Sequence, residues 1–295
     1  PSRGLLAQVS NLKNELVDHE SFRLRAQGHH EVALAEAYER YQARLGQASA
    51  LDFDDLIMAT VNLLQAFPAV ALKYRRRFRH VLVDEYQDTN HAQYTLVREL
   101  TQPVGELPGA ELCVVGDADQ SIYAFRGADI RNILDFEVDY ADASVVLLEQ
   151  NYRSTQRILT AANSVIARNE GRKDKRLWTD AGDGDLITGY VADNEHDEAA
   201  FVAEEVDKLT DAGGFQPCDV AVFYRTNAQS RVFEDVFIRV GLPYRVVGGV
   251  RFYERKEVRD ALAYLRVLAN PADTVSLRRI LNTPRRGIGD RAEAC

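Results

Sequence analysis

His80-Val81-Leu82-Val83-Asp84-Glu85-Tyr86-Gln87-Asp88-Thr89-Asn90 is the stretch on which the reading of this chain turns. A short, unbroken apolar run ends abruptly in two adjacent carboxylates. Apolar runs without alternation suit strands buried on both faces of a parallel sheet. Two more runs share the plan. Leu112-Cys113-Val114-Val115 ends in Gly116-Asp117, and Val145-Val146-Leu147-Leu148 ends in Glu149-Gln150-Asn151. Helical segments lie between them, over His91–Thr101 and Asp129–Phe136. This alternation predicts an α/β fold with a parallel sheet, and such sheets bind ligands at the carboxyl ends of their strands. All three runs place polar residues there.

Outward from this centre, the first 50 residues or so read as helices. Leu5, Leu6, Val9, Leu12 and Leu16 recur at helical spacing, as do Val32, Leu34, Ala35, Tyr38, Tyr41 and Leu45. Leu51-Asp52-Phe53-Asp54-Asp55-Leu56 opens a further helix towards Ala66, with acidic residues where the helix dipole favours negative charge. On the other side, a helix over Ser154–Arg168 leads into Gly-, Asp- and Lys-rich connections up to Asp185. Further strands are expected at Leu186–Val191, Val220–Tyr224 and Tyr244–Val247, and helices at Glu195–Asp211, Ser230–Gly241 and Val258–Leu268. Thr283-Pro284-Arg285-Arg286-Gly287 reads as a turn into another element.

The chain has 295 residues, which at about 150 per domain suggests two domains. With 46% hydrophobic and 27% charged residues, disordered, collagen-like and disulfide-scaffold classes are excluded. No apolar run approaches the ~20 residues of a membrane helix, and Pro1-Ser2-Arg3-Gly4 has no signal-peptide pattern, so no membrane partner is expected. Cys113, Cys218 and Cys295 are widely spaced and odd in number, which predicts reduced thiols and a cytoplasmic location. The six histidines show no zinc spacing.

The net charge of −9 argues against a nucleic-acid binder, but it is uneven. Residues 1–224 carry 22 basic and 37 acidic side chains, whereas 225–295 carry 14 and 8. The basic tail admits a local polyanion contact and reads equally as a solvated arginine-rich surface.

Three constellations carry chemistry. At Asp84-Glu85, one carboxylate can hold Mg²⁺ through water while the next orients or deprotonates an attacking water. Taken alone, the pattern is also that of a surface turn after a strand. In Gly116-Asp117-Ala118-Asp119-Gln120-Ser121-Ile122-Tyr123-Ala124-Phe125-Arg126-Gly127, the Gln120 amide can bond both a phosphate oxygen and a water. Tyr123, Phe125 and Arg126 form either a platform for stacking unpaired bases or part of a core. In Gln150-Asn151-Tyr152-Arg153-Ser154, Tyr152 can stack on a purine and Arg153 can neutralise charge on a transferred phosphoryl group, unless both are ordinary surface at a helix start.

The order and spacing of these long motifs resemble motifs II, III and IV of superfamily-one DNA helicases of the UvrD/PcrA/Rep group, most of all the UvrD-like bacterial repair enzymes. Tyr224-Arg225-Thr226-Asn227-Ala228-Gln229-Ser230-Arg231 and Gly248-Gly249-Val250-Arg251-Phe252-Tyr253-Glu254-Arg255 resemble that group's second motor domain. The resemblance implies two RecA-like parallel-sheet motor domains, of the P-loop NTPase class, that sandwich ATP and move single-stranded DNA 3′-to-5′. By it, Asp84 helps hold Mg²⁺, Glu85 activates water, Gln120 and Arg153 sense the γ-phosphate, and Tyr152 stacks on adenine. Tyr123, Phe125, Arg126, Arg225 and Asn227 contact DNA; the family often has Trp where Phe125 stands. Residues 1–50 then belong to a helical insert, 51–148 to the first motor domain, 149–272 to the second, and 273–295 begin a second insert.

No Gly-x-x-x-x-Gly-Lys-Ser/Thr occurs, nor any Gly-Lys pair, although such motors cradle phosphates on that loop. The chain therefore reads as the middle of a longer helicase. Two functions from different classes follow. In one, the chain supplies part of the ATP and DNA sites of an ATP-dependent helicase or translocase acting on single-stranded and partly duplex DNA in repair or replication, without turning over ATP by itself. In the other, it is a non-hydrolysing nucleic-acid-binding or scaffold protein derived from such a motor.

Overall fold

A computed structural model describes residues 2–169, 175–247 and 256–288. The 248–255 motif and Cys295 lie outside the described residues. The chain divides into two compact units, one of residues 1–149, 163–177 and 260–295, the other of 150–162 and 178–259.

In the first unit, α1 (Ser2–Asn14), α2 (His19–Arg25) and α3 (Gly28–Gln47) enclose a core of Val9, Phe22, Leu34, Ala35 and Tyr38. Their apolar residues recur three and four apart and so share one face. α4 (Phe53–Ala66) starts where expected because Asp52 and Asp55 form a reciprocal capping box. α5 (Pro68–Arg77) follows, with Pro68 in the first helical turn, where its missing N–H costs nothing.

Next come β1 (His80–Val83), α6 (His91–Thr101) and β2 (Glu111–Val114). The strands are parallel, in register His80 to Glu111 through Val83 to Val114. Asn90 and Gln93 cap α6 reciprocally. The predicted helix over Asp129–Phe136 is instead two short pieces, α7 (Arg131–Leu134) and α8 (Phe136–Asp139), hinged at Asp135.

The second unit contains the start of α9 (Gln156–Ile166), then α10 (Glu195–Asp211) and α11 (Ser230–Val240). Ala199, Ala203, Val236 and Phe237 pack together as its core. Gly241, at φ 75°, ends α11 in the left-handed conformation that glycine adopts without strain. α12 (Lys256–Ala269) and α13 (Thr274–Ile280) close the described chain.

The sheet among the described residues has two strands, and this corrects four expectations. Val145–Leu148, Leu186–Val191, Val220–Tyr224 and Tyr244–Val247 form no ladder. The run at 145–148 is followed only by an isolated parallel bridge between Gln150 and Trp178. Apolar composition marks a segment fit for a buried strand, but a parallel strand also needs a neighbour delivered by a crossover. These four find none among the described residues, and Leu148, Val191, Phe223 and Val247 stay exposed.

The basic tail is partly structural. Arg279 pairs with Asp260 at 2.9 Å, and the Arg286 guanidinium donates to the carbonyls of Ile280 and Leu281 at the end of α13. No single helix among the described residues is long and apolar enough to cross a membrane.

Candidate nucleotide and nucleic-acid site

The tips of β1 and β2 meet in one hydrogen-bonded network. The sheet pairing runs on past the strands, with Val115 N donating to Val83 O at 2.8 Å and Tyr86 N to Val115 O at 3.0 Å. Between these bonds the chain turns sharply at Glu85, whose φ of 51° and ψ of 42° are left-handed. For a residue other than glycine this costs about 1–3 kcal/mol, and such strain gathers at functional sites. The Asp84 Oδ1 accepts the Glu85 N–H at 2.9 Å. Both carboxylates are exposed.

Gln87, only 1% exposed, joins the two tips. Its Nε2 donates to Glu85 Oε2 at 2.7 Å, and its Oε1 accepts the Asp117 N–H at 2.9 Å. Asp117 in turn accepts from Gln120 Nε2 at 2.8 Å and from the Lys175 ammonium, which also reaches Asp119 at 3.4 Å. Burial pushes the Asp117 carboxyl up, but the Lys175 and Gln120 bonds outweigh it and hold it below the usual carboxylate range. The close approach of the tips requires Gly116, where a Cβ would lie 2.5 Å from Gln87 Oε1 and 2.9 Å from Ile133 Cδ1.

The structure thus joins Asp84, Glu85 and Gln120 through Gln87 and Asp117, with Lys175 holding Asp117; neither Gln87 nor Lys175 is among the expected site residues. Gln87 stands inside a quoted motif, but the letter does not tell a buried amide from a solvated one. Lys175 lies in a stretch that reads as a connection, 58 residues from its partner, and carries no sequence signal.

Tyr123, Phe125 and Arg126 follow on a 3₁₀ turn. The two rings lie 6.0 Å apart, tilted by 40°, with the guanidinium carbon 5.2 and 5.5 Å from their centroids. Phe125 is 69% and Tyr123 37% exposed, so these rings do not fill core as the alternative reading had it. Together they form a cationic aromatic surface of the kind on which unpaired bases stack.

Tyr152, Arg153, Arg225 and Asn227 belong to the second unit. Tyr152 is 85% exposed, and its hydroxyl donates to Gln150 Oε1 at 2.9 Å. Asn151 Oδ1 fixes the turn by accepting the N–H groups of Arg153 and Ser154 at 2.9 and 2.8 Å. Gln229 Oε1 does the same for Arg225 and Thr226, both at 2.9 Å. Arg153, Arg225 and Asn227 are exposed.

Among the described residues, no group of three or more His, Cys, Asp or Glu side chains can hold a metal ion. The exposed Asp84 carboxylate at the β1 tip can reach a cation from one side without a protein cage. That fits Mg²⁺, which is usually bound through one or two carboxylates beside substrate phosphates.

The parallel pair presents adjacent carboxylates and a tethered amide at its carboxyl edge, where open α/β sheets take their ligands. Comparison with known sequences gives the family. Residues 2–141 match the UvrD/REP helicase N-terminal domain and residues 146–294 the UvrD-like helicase C-terminal domain, so the chain belongs to the UvrD/REP helicase family. It is 68% identical over 298 residues to the ATP-dependent DNA helicase UvrD1 of Mycobacterium tuberculosis (strain ATCC 25618 / H37Rv), covering 99% of this chain and 39% of that protein. It is 51% identical over 287 residues to the ATP-dependent DNA helicase PcrA of Bacillus subtilis (strain 168), covering 97% of this chain and 38% of that protein. The chain thus spans well under half the length of these relatives.

Proposed function

We propose that the full-length protein is an ATP-dependent DNA helicase or translocase that moves 3′-to-5′ on single-stranded DNA in repair or replication, in the cytoplasm. The observation that carries this reading is the joined pair of strand tips, which presents Asp84, Glu85 and Gln120 from one hydrogen-bonded network.

In this reading Glu85 takes the proton of the water that attacks the γ-phosphorus of ATP, as the bond to the β-phosphate oxygen breaks. A positioned base of this kind contributes about 10²–10⁴-fold. Gln120 contacts the γ-phosphate from its tether on Asp117. The exposed ring of Tyr152 is a stacking surface for adenine, and Arg153 is a cation for charge developing on the phosphoryl oxygens. Asp84 would hold Mg²⁺, which supplies neutralisation of phosphate charge. Tyr123, Phe125 and Arg126 grip single-stranded DNA, and Arg225 and Asn227 add polar contacts from the second unit.

The test is ATP turnover by the full-length protein with and without single-stranded DNA, together with unwinding of duplexes carrying a 3′ or a 5′ single-stranded tail. Stimulated turnover and a preference for the 3′ tail are expected. DNA binding without turnover would establish the scaffold function instead.

A further inference from the structure

The geometry points to Gln87 as the positioning residue that sets the Glu85 carboxylate and ties its placement to the loop carrying Gln120. This rests on the reading of Glu85 as the group that activates water.

An amide has one acceptor oxygen and one donor nitrogen, and both are committed here. Nε2 faces the Glu85 carboxylate at 2.7 Å, and Oε1 faces the Asp117 N–H at 2.9 Å. The reverse orientation would set oxygen against oxygen and N–H against N–H, so these two partners fix the orientation of the amide. Its backbone is held as well, since Ser121 Oγ donates to Gln87 O at 3.4 Å. Residue 116 is a glycine where any Cβ would strike Gln87 Oε1.

The donor of this buried amide is spent on an exposed carboxylate, where fold stability alone has little to gain. Glu85 sits in a left-handed conformation, so its own backbone is an unusual support for the side chain. The amide supplies a second support. Because Asp117 also holds Gln120, the base and the proposed γ-phosphate contact are linked through two residues, Gln87 and Asp117. A displacement of the Gln120 loop is therefore passed to Glu85.

The test uses the full-length protein with single-stranded DNA in excess. Gln87→Met keeps the shape and removes both bonds. Gln87→Glu keeps an acceptor for the Asp117 N–H and loses the donor to Glu85. Each is expected to lower kcat by about 10²-fold, the scale of misplaced catalytic geometry, with nucleotide affinity unchanged. Combined with Gln120→Ala, Gln87→Met should cause less loss than the product of the two single losses, because the two share the linkage through Asp117. If Gln87→Met does not fold, Gln87→Glu carries the test by itself. Normal kcat in folded protein, a parallel loss of nucleotide affinity, or losses that multiply with Gln120→Ala would overturn the inference. Glu85→Gln serves as the reference. If it abolishes turnover while the Gln87 variants turn over normally, only the inference falls; if it leaves turnover intact, the water-activation reading falls and takes the inference with it.

Discussion

The candidate residues of the two units are held in opposite ways. In the first unit, Glu85 and Gln120 are joined across distant stretches of chain through the buried Gln87 amide and through Asp117, which Lys175 holds from 58 residues away. In the second, the described bonds that set Arg153 and Arg225 are turns in which an Asn or Gln side chain caps backbone a few residues away. A network that spans the chain preorganises charge at one point, which suits electrostatic work on a phosphoryl group. Locally held, exposed side chains suit contact with something that arrives. The same contrast predicts that single changes in the first unit propagate, whereas changes in the second stay local.

The largest effect is expected at Lys13, which is 1% exposed and lies 2.7 Å from Asp52 and 2.8 Å from Asp55. Lys13→Met leaves the buried Asp55 and the half-buried Asp52 without their cation and should destabilise the first unit by about 3–5 kcal/mol, read from urea unfolding. Burial raises the Asp52 carboxyl, but the bonds from Lys13, the Asp55 N–H and Tyr41 outweigh it and lower it overall. A depressed folded value adds stability that is complete above the unfolded value of about 3.9 and is lost as the pH falls below it. The urea midpoint should therefore drop on acidification below about pH 4, less steeply in Lys13→Met.

Gly116→Ala comes next. Overpacking at the joined tips should cost about 1–3 kcal/mol and should reduce ATP turnover in the full-length protein, because the new methyl displaces Gln87. Unchanged turnover would mean that the tips are not coupled.

In the second unit, Asn151→Ala removes only a local cap and should cost about 1 kcal/mol, with no loss in the first unit's unfolding transition. An effect on both transitions would break the contrast.

The mildest change in stability is expected for Tyr123→Ala and Phe125→Ala, since both rings are exposed. Their effect belongs to DNA: affinity for a short single strand at fixed salt should fall by about 1–3 kcal/mol per lost stacking partner. Unchanged affinity would remove the platform from the account.

Legibility in the sequence followed locality. The bounds of β1 are legible because its apolar run ends in carboxylates, although Leu82 is exposed where the unbroken run predicts burial, and those of α10 because periodic apolar residues follow the Asn194 cap. The four expected strands do not form because composition reports fitness for a sheet and not the arrival of a neighbour. Lys13 carries no local signal of burial, yet it is buried against Asp52 and Asp55, about 40 residues further along the chain. The motif letters located Glu85 and Gln120, but the bonds that join them run through Gln87 and Asp117, and such bonds depend on a fold that no local window contains.

The most direct test of the central claim is the Glu85→Gln change in the full-length protein, with ATP turnover on single-stranded DNA and nucleotide affinity measured on the same preparation. Turnover lost by about 10²–10⁴-fold with affinity retained is the predicted result. Turnover retained would contradict the assignment of the β1 tip as the hydrolytic centre.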